Sequence, residues 1–309
     1  MIPSLFNKSR PINYIIIATL LFFSFLIFQI RNTIDPISVS SFIEKVSVLV
    51  VLVFSLFVAN FIAKRNGLSK DSSYPFLFYF IVLLFFPSVF NQVNLVISSF
   101  FVLLALRRLF SMQSMQSTKE KIFDASLWIF VASLFHFWAI LFIILVFVSI
   151  IFHVSGDYRN WILPFIALFA VAIITIFFSL ALETTWLETI VNSATYNFKL
   201  EFSSVIAQNS ALLIYSFFAV LFLFSMIFSM SKRPLILHAA FKKIIYAMVI
   251  GVLIYLISPD KSNENLIFTF FPMAILATGF VEITKDDFWK QIIMGIFVLI
   301  GITVFVFQL

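Results

Sequence analysis

The chain has 309 residues, 62% of them hydrophobic and only 11% charged, with no cysteine and a mean hydropathy of +1.13. A soluble domain carries about 25% charged residues, so this composition excludes a soluble enzyme, a disordered chain and a secreted disulfide scaffold. The net charge of +6 therefore raises a question of membrane topology rather than of nucleic-acid binding, and no nucleic-acid partner is expected.

The expected architecture is an all-α polytopic transmembrane bundle, one integral membrane domain over residues 1–309. The first apolar run, Ile12–Ile30, follows Lys8, Arg10 and Pro11. It is long enough to span and has no small-residue cleavage site after it, so it reads as a signal anchor. Further spans are predicted at Val46–Ala63, Trp161–Leu182, Ala211–Met230, Ile244–Ser258, Leu266–Ile283 and Gln291–Gln308. Two stretches are ambiguous. Phe76–Leu106 is interrupted by Pro87 and by Asn91-Gln92-Val93-Asn94, and Ile122–Phe152 has His136 near its middle. As a single helix each would be about 46 Å long, against a hydrocarbon core of about 30 Å.

Charge decides between one tilted helix and a hairpin. With both stretches folded as hairpins, Lys8, Arg10, Lys64, Arg65, Lys70, Arg107, Arg108, Lys119, Lys121, Arg159, Lys232, Arg233, Lys242, Lys243, Lys285 and Lys290 fall inside. That places 16 cations inside and leaves Arg31, Lys45, Lys199 and Lys261 outside. A single crossing at Ile122–Phe152 gives 11 against 9. The predicted topology is therefore eleven membrane segments with the amino terminus inside. The hairpin arms, at about 22 Å, are short for a crossing, which points to shielding by neighbouring helices or to re-entrant segments. The longest loop, Glu183–Ser210, is expected at the outer headgroup level. The basic loops Arg107–Lys121 and Lys232–Lys243 read as orientation signals facing anionic lipid.

Polar residues near membrane depth gather on the outer side: Arg31, Asn32 and Asp35; Asn91, Gln92 and Asn94; His136 and Trp138; Glu183 and Glu188; and Asp260, Lys261, Asn263, Glu264 and Asn265. Ionisable groups there are costly and default to functional candidates. Each also has a structural reading: Arg31 and Asp35 as a boundary loop, the Asn/Gln tip as helix caps, His136 as a packed histidine in an aromatic belt.

Two stretches carry a resemblance. Ala132–Ile140, with its His136-Phe137-Trp138-Ala139 turn, resembles the helix break of exopolysaccharide polymerases related to O-antigen polymerases. Where that family has an arginine, this chain has the Asn91–Asn94 cluster. Ser258–Pro272 is similar to the basic-residue-to-proline segment of the GT-C glycosyltransferases, with Lys261 and Pro272 in place and the second basic residue absent. The chain also resembles multi-pass membrane proteins common in Bacteroidota. The resemblance implies a bacterial inner-membrane protein acting at the outer face on a polyprenyl-phosphate-linked sugar. Asp35 or Glu264 would handle the acceptor proton, Lys261 and Arg31 the phosphate, and Asn91, Gln92, Asn94, His136 and Asp260 the sugar. No metal or other cofactor is required. The alternatives are a non-catalytic membrane scaffold and a flippase or transporter for a lipid-linked substrate.

The charge count generates a direct test. A cysteine introduced at Ser155, the only thiol in the chain, is expected to resist an impermeant maleimide in intact cells and to react after permeabilisation. Labelling from outside would contradict the folded-back arrangement of Ile122–Phe152.

Overall fold

The computed structural model describes residues 5–32, 38–182, 188, 190, 192–199, 205–284 and 286–309. All regular structure among them is helical. Helix α1 (Pro11–Asn32) is followed by α2 (Val39–Arg65), α3 (Tyr74–Phe85), α4 (Val93–Ser111), α5 (Thr118–Phe135) and α6 (Ile143–His153). Then come α7 (Arg159–Ala181), α8 (Ile206–Ser229), α9 (Leu235–Ile257), α10 (Phe270–Ile283) and α11 (Asp287–Phe307). Three 3-10 segments, Pro87–Asn91, Phe137–Phe142 and Asn263–Thr269, precede α4, α6 and α10. Eight stretches among the described residues are long and apolar enough to cross a membrane. Helix α3 and the stretch Phe137–His153 are apolar but shorter. Helix α5 carries Lys119, Glu120, Lys121 and Asp124 in its first half.

Hydrogen bonds and ion pairs sort the loops onto two ends of the bundle. At one end the Ser73 amide donates to the Phe6 carbonyl at 2.8 Å, Gln113 donates to the Ile236 carbonyl at 3.1 Å, and Lys119 pairs with Asp157 at 3.0 Å. Ser72 and the Lys70 amide both donate to the Glu282 carboxylate at that end, at 2.8 and 3.0 Å. At the other end Gln29 donates to Asn91 at 2.9 Å, His136 meets Ser258, and Asn263 donates to the Gln208 carbonyl at 2.9 Å. Residues 73 and 107 thus lie at one end with Asn91 at the other, and residues 119 and 157 at one end with His136 at the other. Both ambiguous stretches fold back on themselves.

Helix α3 explains how so short a helix persists. Every residue from Tyr74 to Phe85 is buried, because a helix that is apolar all round is stable only when surrounded. It packs against α2, α10 and α11, and α10 is itself almost wholly buried. Much of the phenylalanine content lies here: Phe85, Phe86, Phe218, Phe222, Phe270 and Phe297 meet one another and Tyr215 at ring separations of 4.9–6.4 Å. The peripheral helices expose their apolar residues, such as Phe177, Leu180, Phe228 and Phe307, a surface suited to lipid as solvent.

Two boundaries depart from expectation. Helix α9 begins at Leu235 rather than at Ile244, so Lys242 and Lys243 are helical instead of loop residues. The two cations end the apolar run without ending the helix. Lys242 stays exposed, whereas Lys243 is fully buried and donates to the Leu109 carbonyl at 2.6 Å, near the carboxyl end of α4. Helix α2 likewise begins at Val39, where Ser38 accepts from the Ser41 amide at 3.2 Å and caps it. The loop expected over Glu183–Ser210 ends sooner, since α8 starts at Ile206. Residues 183–187, 189, 191 and 200–204 of that loop lie outside the described ones.

Gly251 sets the distance between α9 and the segment Asn263–Thr269. A Cβ there would sit 2.6 Å from Thr269 Cγ2 and 3.2 Å from the main chain of Phe268. Gly251→Val is expected to lower stability by about 1–3 kcal/mol through overpacking, measured as a lower thermal midpoint in detergent. Gly295, with open space around it, serves as the comparison: Gly295→Ala is expected to be neutral or stabilising, by up to about 1 kcal/mol.

Candidate functional site

The 3-10 segments that precede α4, α6 and α10 all lie at the end of the bundle that holds Asn91 and His136, and they are joined by packing. Pro87–Asn91 contacts Asn263–Thr269, which also packs against α4 and α9, and Phe137–Phe142 contacts α9. Each break has a local cause. Pro87 brings no amide hydrogen and opens the first 3-10 turn. His136 is extended, with φ −143° and ψ 107°, which ends α5. Ser258, with φ −52° and ψ 137°, precedes Pro259 and ends α9.

The centre of the junction is Ser258. Its hydroxyl donates to the Ile254 carbonyl at 2.7 Å, and its oxygen lies 3.3 Å from His136 Nε2. A hydroxyl has one proton to give, so in this contact His136 Nε2 is the donor. Nδ1 then carries the lone pair and has no hydrogen-bond partner among the described residues. His136 is half-buried at this break. Its ring lies 5.4 Å from that of Phe268.

Glu264 is buried, and its Oε2 has no hydrogen-bond partner among the described residues. Asn265, next to it, is also buried and donates to the Asp260 carbonyl at 2.7 Å, closing the loop that follows α9. The Asp260 side chain itself is exposed. An unpaired buried carboxylate costs stability that ordinary packing does not explain, which makes Glu264 the strongest functional candidate at this end.

The other predicted residues are placed differently. Lys261 is half-buried, and its ammonium donates to the carbonyls of Asn197 and Leu256 and, at 3.4 Å, to that of Tyr255. It joins the segment around Asn197 to the carboxyl end of α9, so the cation offered to a phosphate by the sequence is engaged by main chain. Asn91 accepts from Gln29, while Gln92 and Asn94 are exposed around it. Arg31 is exposed at the end of α1, and Asp35 lies outside the described residues. The junction thus joins His136 to Ser258, carries Asp260, Lys261 and Glu264 on the loop and 3-10 segment that follow α9, and places Asn91 on the neighbouring break.

Gln29 and Ser258 were not singled out from the sequence. The signal for Gln29 was present: a glutamine one turn inside an apolar span needs a partner, and here it has Asn91. Ser258 carried no signal, because a serine beside a proline in a polar stretch has the pattern of any turn. Comparison with protein-family models, curated proteins and solved structures yields no match.

The clamp at Lys261 has a measurable consequence. Lys261→Met leaves carbonyls at the end of α9 without their charged donor and is expected to cost about 1.5–3 kcal/mol, seen as a lower thermal midpoint in detergent. Unchanged stability would mean that the ammonium is free for another partner.

Proposed function

We propose that this chain is a bacterial inner-membrane protein with eleven membrane segments and a cytoplasmic amino terminus. In this reading it transfers or polymerises sugars from a polyprenyl-phosphate-linked donor at the outer face. The separation of the loops into a basic end and an opposite end supports the orientation. The observation that carries the activity is the buried Glu264 side chain, with an oxygen that has no hydrogen-bond partner among the described residues, on the segment Asn263–Thr269 whose Phe268 ring lies 5.4 Å from that of His136. Irregular backbone at membrane depth persists where it is buried in protein or lines a cavity, and a proton acceptor shielded from water suits activation of a hydroxyl.

The chemistry this reading requires is a single displacement. The acceptor hydroxyl forms a bond to the anomeric carbon, the bond from that carbon to the phosphate oxygen breaks, and polyprenyl phosphate leaves with the electron pair. The acceptor proton passes to Glu264 or to His136 Nδ1. Asn91 and Asn265 supply amide groups for sugar hydroxyls, and Arg31 is an exposed cation at this end for the phosphate. The apolar flank of the bundle accommodates the lipid tail.

Glu264→Gln keeps the shape of the side chain but cannot take a proton at neutral pH. It is expected to lower sugar transfer into a lipid-linked product by at least about a hundredfold, with membrane abundance held near that of the parent. His136→Gln is expected to lower it as well. Both variants retaining a glycan-dependent phenotype at normal abundance would remove the transferase and favour a scaffold. A flippase would instead move substrate across liposomes without making a new glycosidic bond.

A further inference from the structure

At the basic end, α2, α4 and α5 converge around a cavity of about 750 Å3. Its wall holds four cations, Arg65, Arg107, Arg108 and Lys121, against one carboxylate, Glu120. Two of the cations are already engaged. Arg108 pairs with Asp124 at 2.8 Å, and Lys121 donates to the Ser111 carbonyl at 2.8 Å and the Ser114 hydroxyl at 2.7 Å. Arg65 and Arg107 differ. Both lie against the ring of Phe61, their guanidinium carbons 5.7 and 5.2 Å from its centroid. Both are exposed, and neither makes a side-chain hydrogen bond or ion pair among the described residues. A guanidinium held by its face keeps its N–H edge available for bidentate contact with phosphate.

The cavity continues into the membrane. Phe61, Arg65 and Arg107 also wall a groove of about 740 Å3, and Phe57 joins this to a third space of about 570 Å3 along α1 from Pro11 to Phe22. The lining of that last space is apolar apart from Thr19 and the Tyr14 hydroxyl, which is bonded to Ser9 at 2.6 Å. From Pro11 to Phe22 the helix rises about 17 Å, close to half of a 30 Å hydrocarbon core. Two unpaired cations at the surface, opening onto an apolar groove one leaflet deep, match the anatomy of an amphiphile with an anionic head.

We propose that this end of the bundle binds an anionic phospholipid, with its phosphate diester between Arg65 and Arg107 and an acyl chain along Phe57 toward α1. The site lies at the opposite end from Glu264 and does not depend on the activity proposed there. A positively charged surface attracts anionic lipid without any groove. The specific claim is that these two arginines and the adjoining groove act as one site.

Native mass spectrometry of the full chain in detergent tests it, with phosphatidylglycerol, phosphatidylcholine and glycerol 3-phosphate as probes at equal concentration. Phosphatidylglycerol is expected to be retained over both others. Arg65→Gln combined with Arg107→Gln is expected to weaken its binding roughly thirtyfold, as two surface cations would. Lys242→Gln combined with Lys290→Gln removes the same charge at the same end outside the cavity and is expected to change binding little. Because Arg65 and Arg107 are exposed and unpaired, the first pair is expected to keep the parent's thermal midpoint. Equal loss in both pairs, no loss in the first, or glycerol 3-phosphate bound as tightly as the lipid would each overturn the proposal.

Discussion

A helix interrupted within a bilayer leaves main-chain amides and carbonyls that hydrocarbon cannot satisfy, and the whole architecture follows from where those groups find partners. The chain breaks at Phe86, His136 and Ser258, and all three breaks are drawn to one end of the bundle. There the first break meets Gln29, which donates to Asn91 and, at 3.4 Å, to the Phe90 carbonyl. The carbonyls at the end of α9 take the Lys261 ammonium, and Ser258 shares its oxygen with His136. The short helices this produces, α3 above all, cannot face lipid over a full crossing. Helix α3 sits inside a ring of longer ones, and its complete burial is the consequence.

The same requirement explains a buried and a half-buried lysine that donate to main-chain carbonyls. Lys243 and Lys261 both point their ammonium groups at carbonyls near the carboxyl ends of helices, α4 and α9, where four carbonyls lack intrahelical donors. Each joins segments distant in sequence: Lys243 holds α9 to α4, and Lys261 holds the stretch around Asn197 to α9. A lysine in an apolar protein of this kind is therefore a structural tie before it is a ligand. The arginines of the basic end behave differently, because Arg65 and Arg107 rest on Phe61 and leave their edges open.

Function and fold are coupled through the breaks. His136 sits half-buried at the end of α5, and its tautomer follows from a serine that has already given its proton to the main chain. Glu264 is buried because Asn263–Thr269 packs beneath α9 at the close approach allowed by Gly251. Neither group would hold its state on a continuous helix facing lipid. The two ends of the molecule thus differ in chemical character: a buried carboxyl group and a half-buried imidazole at one, and cations beside an apolar groove at the other.

The class, the all-helical content and the segregation of charge are legible in hydropathy and charge alone, because burial of backbone in lipid demands long apolar runs and cations mark one side of them. The sequence also indicated that Phe76–Leu106 and Ile122–Phe152 fold back, since a single helix of either length overshoots the bilayer and scatters the cations. Helix ends at Val39 and Leu235 were hidden, because hydropathy stops at a charge whereas a helix continues wherever the charge finds water or a carbonyl. Only the tertiary structure decided which polar residues meet. Gln29 reaches Asn91 across 62 positions, and His136 reaches Ser258 across 122. Partners so far apart leave no local pattern, and the difference between Lys261 engaged by carbonyls and Arg107 left open depends on which helix end each one happens to face.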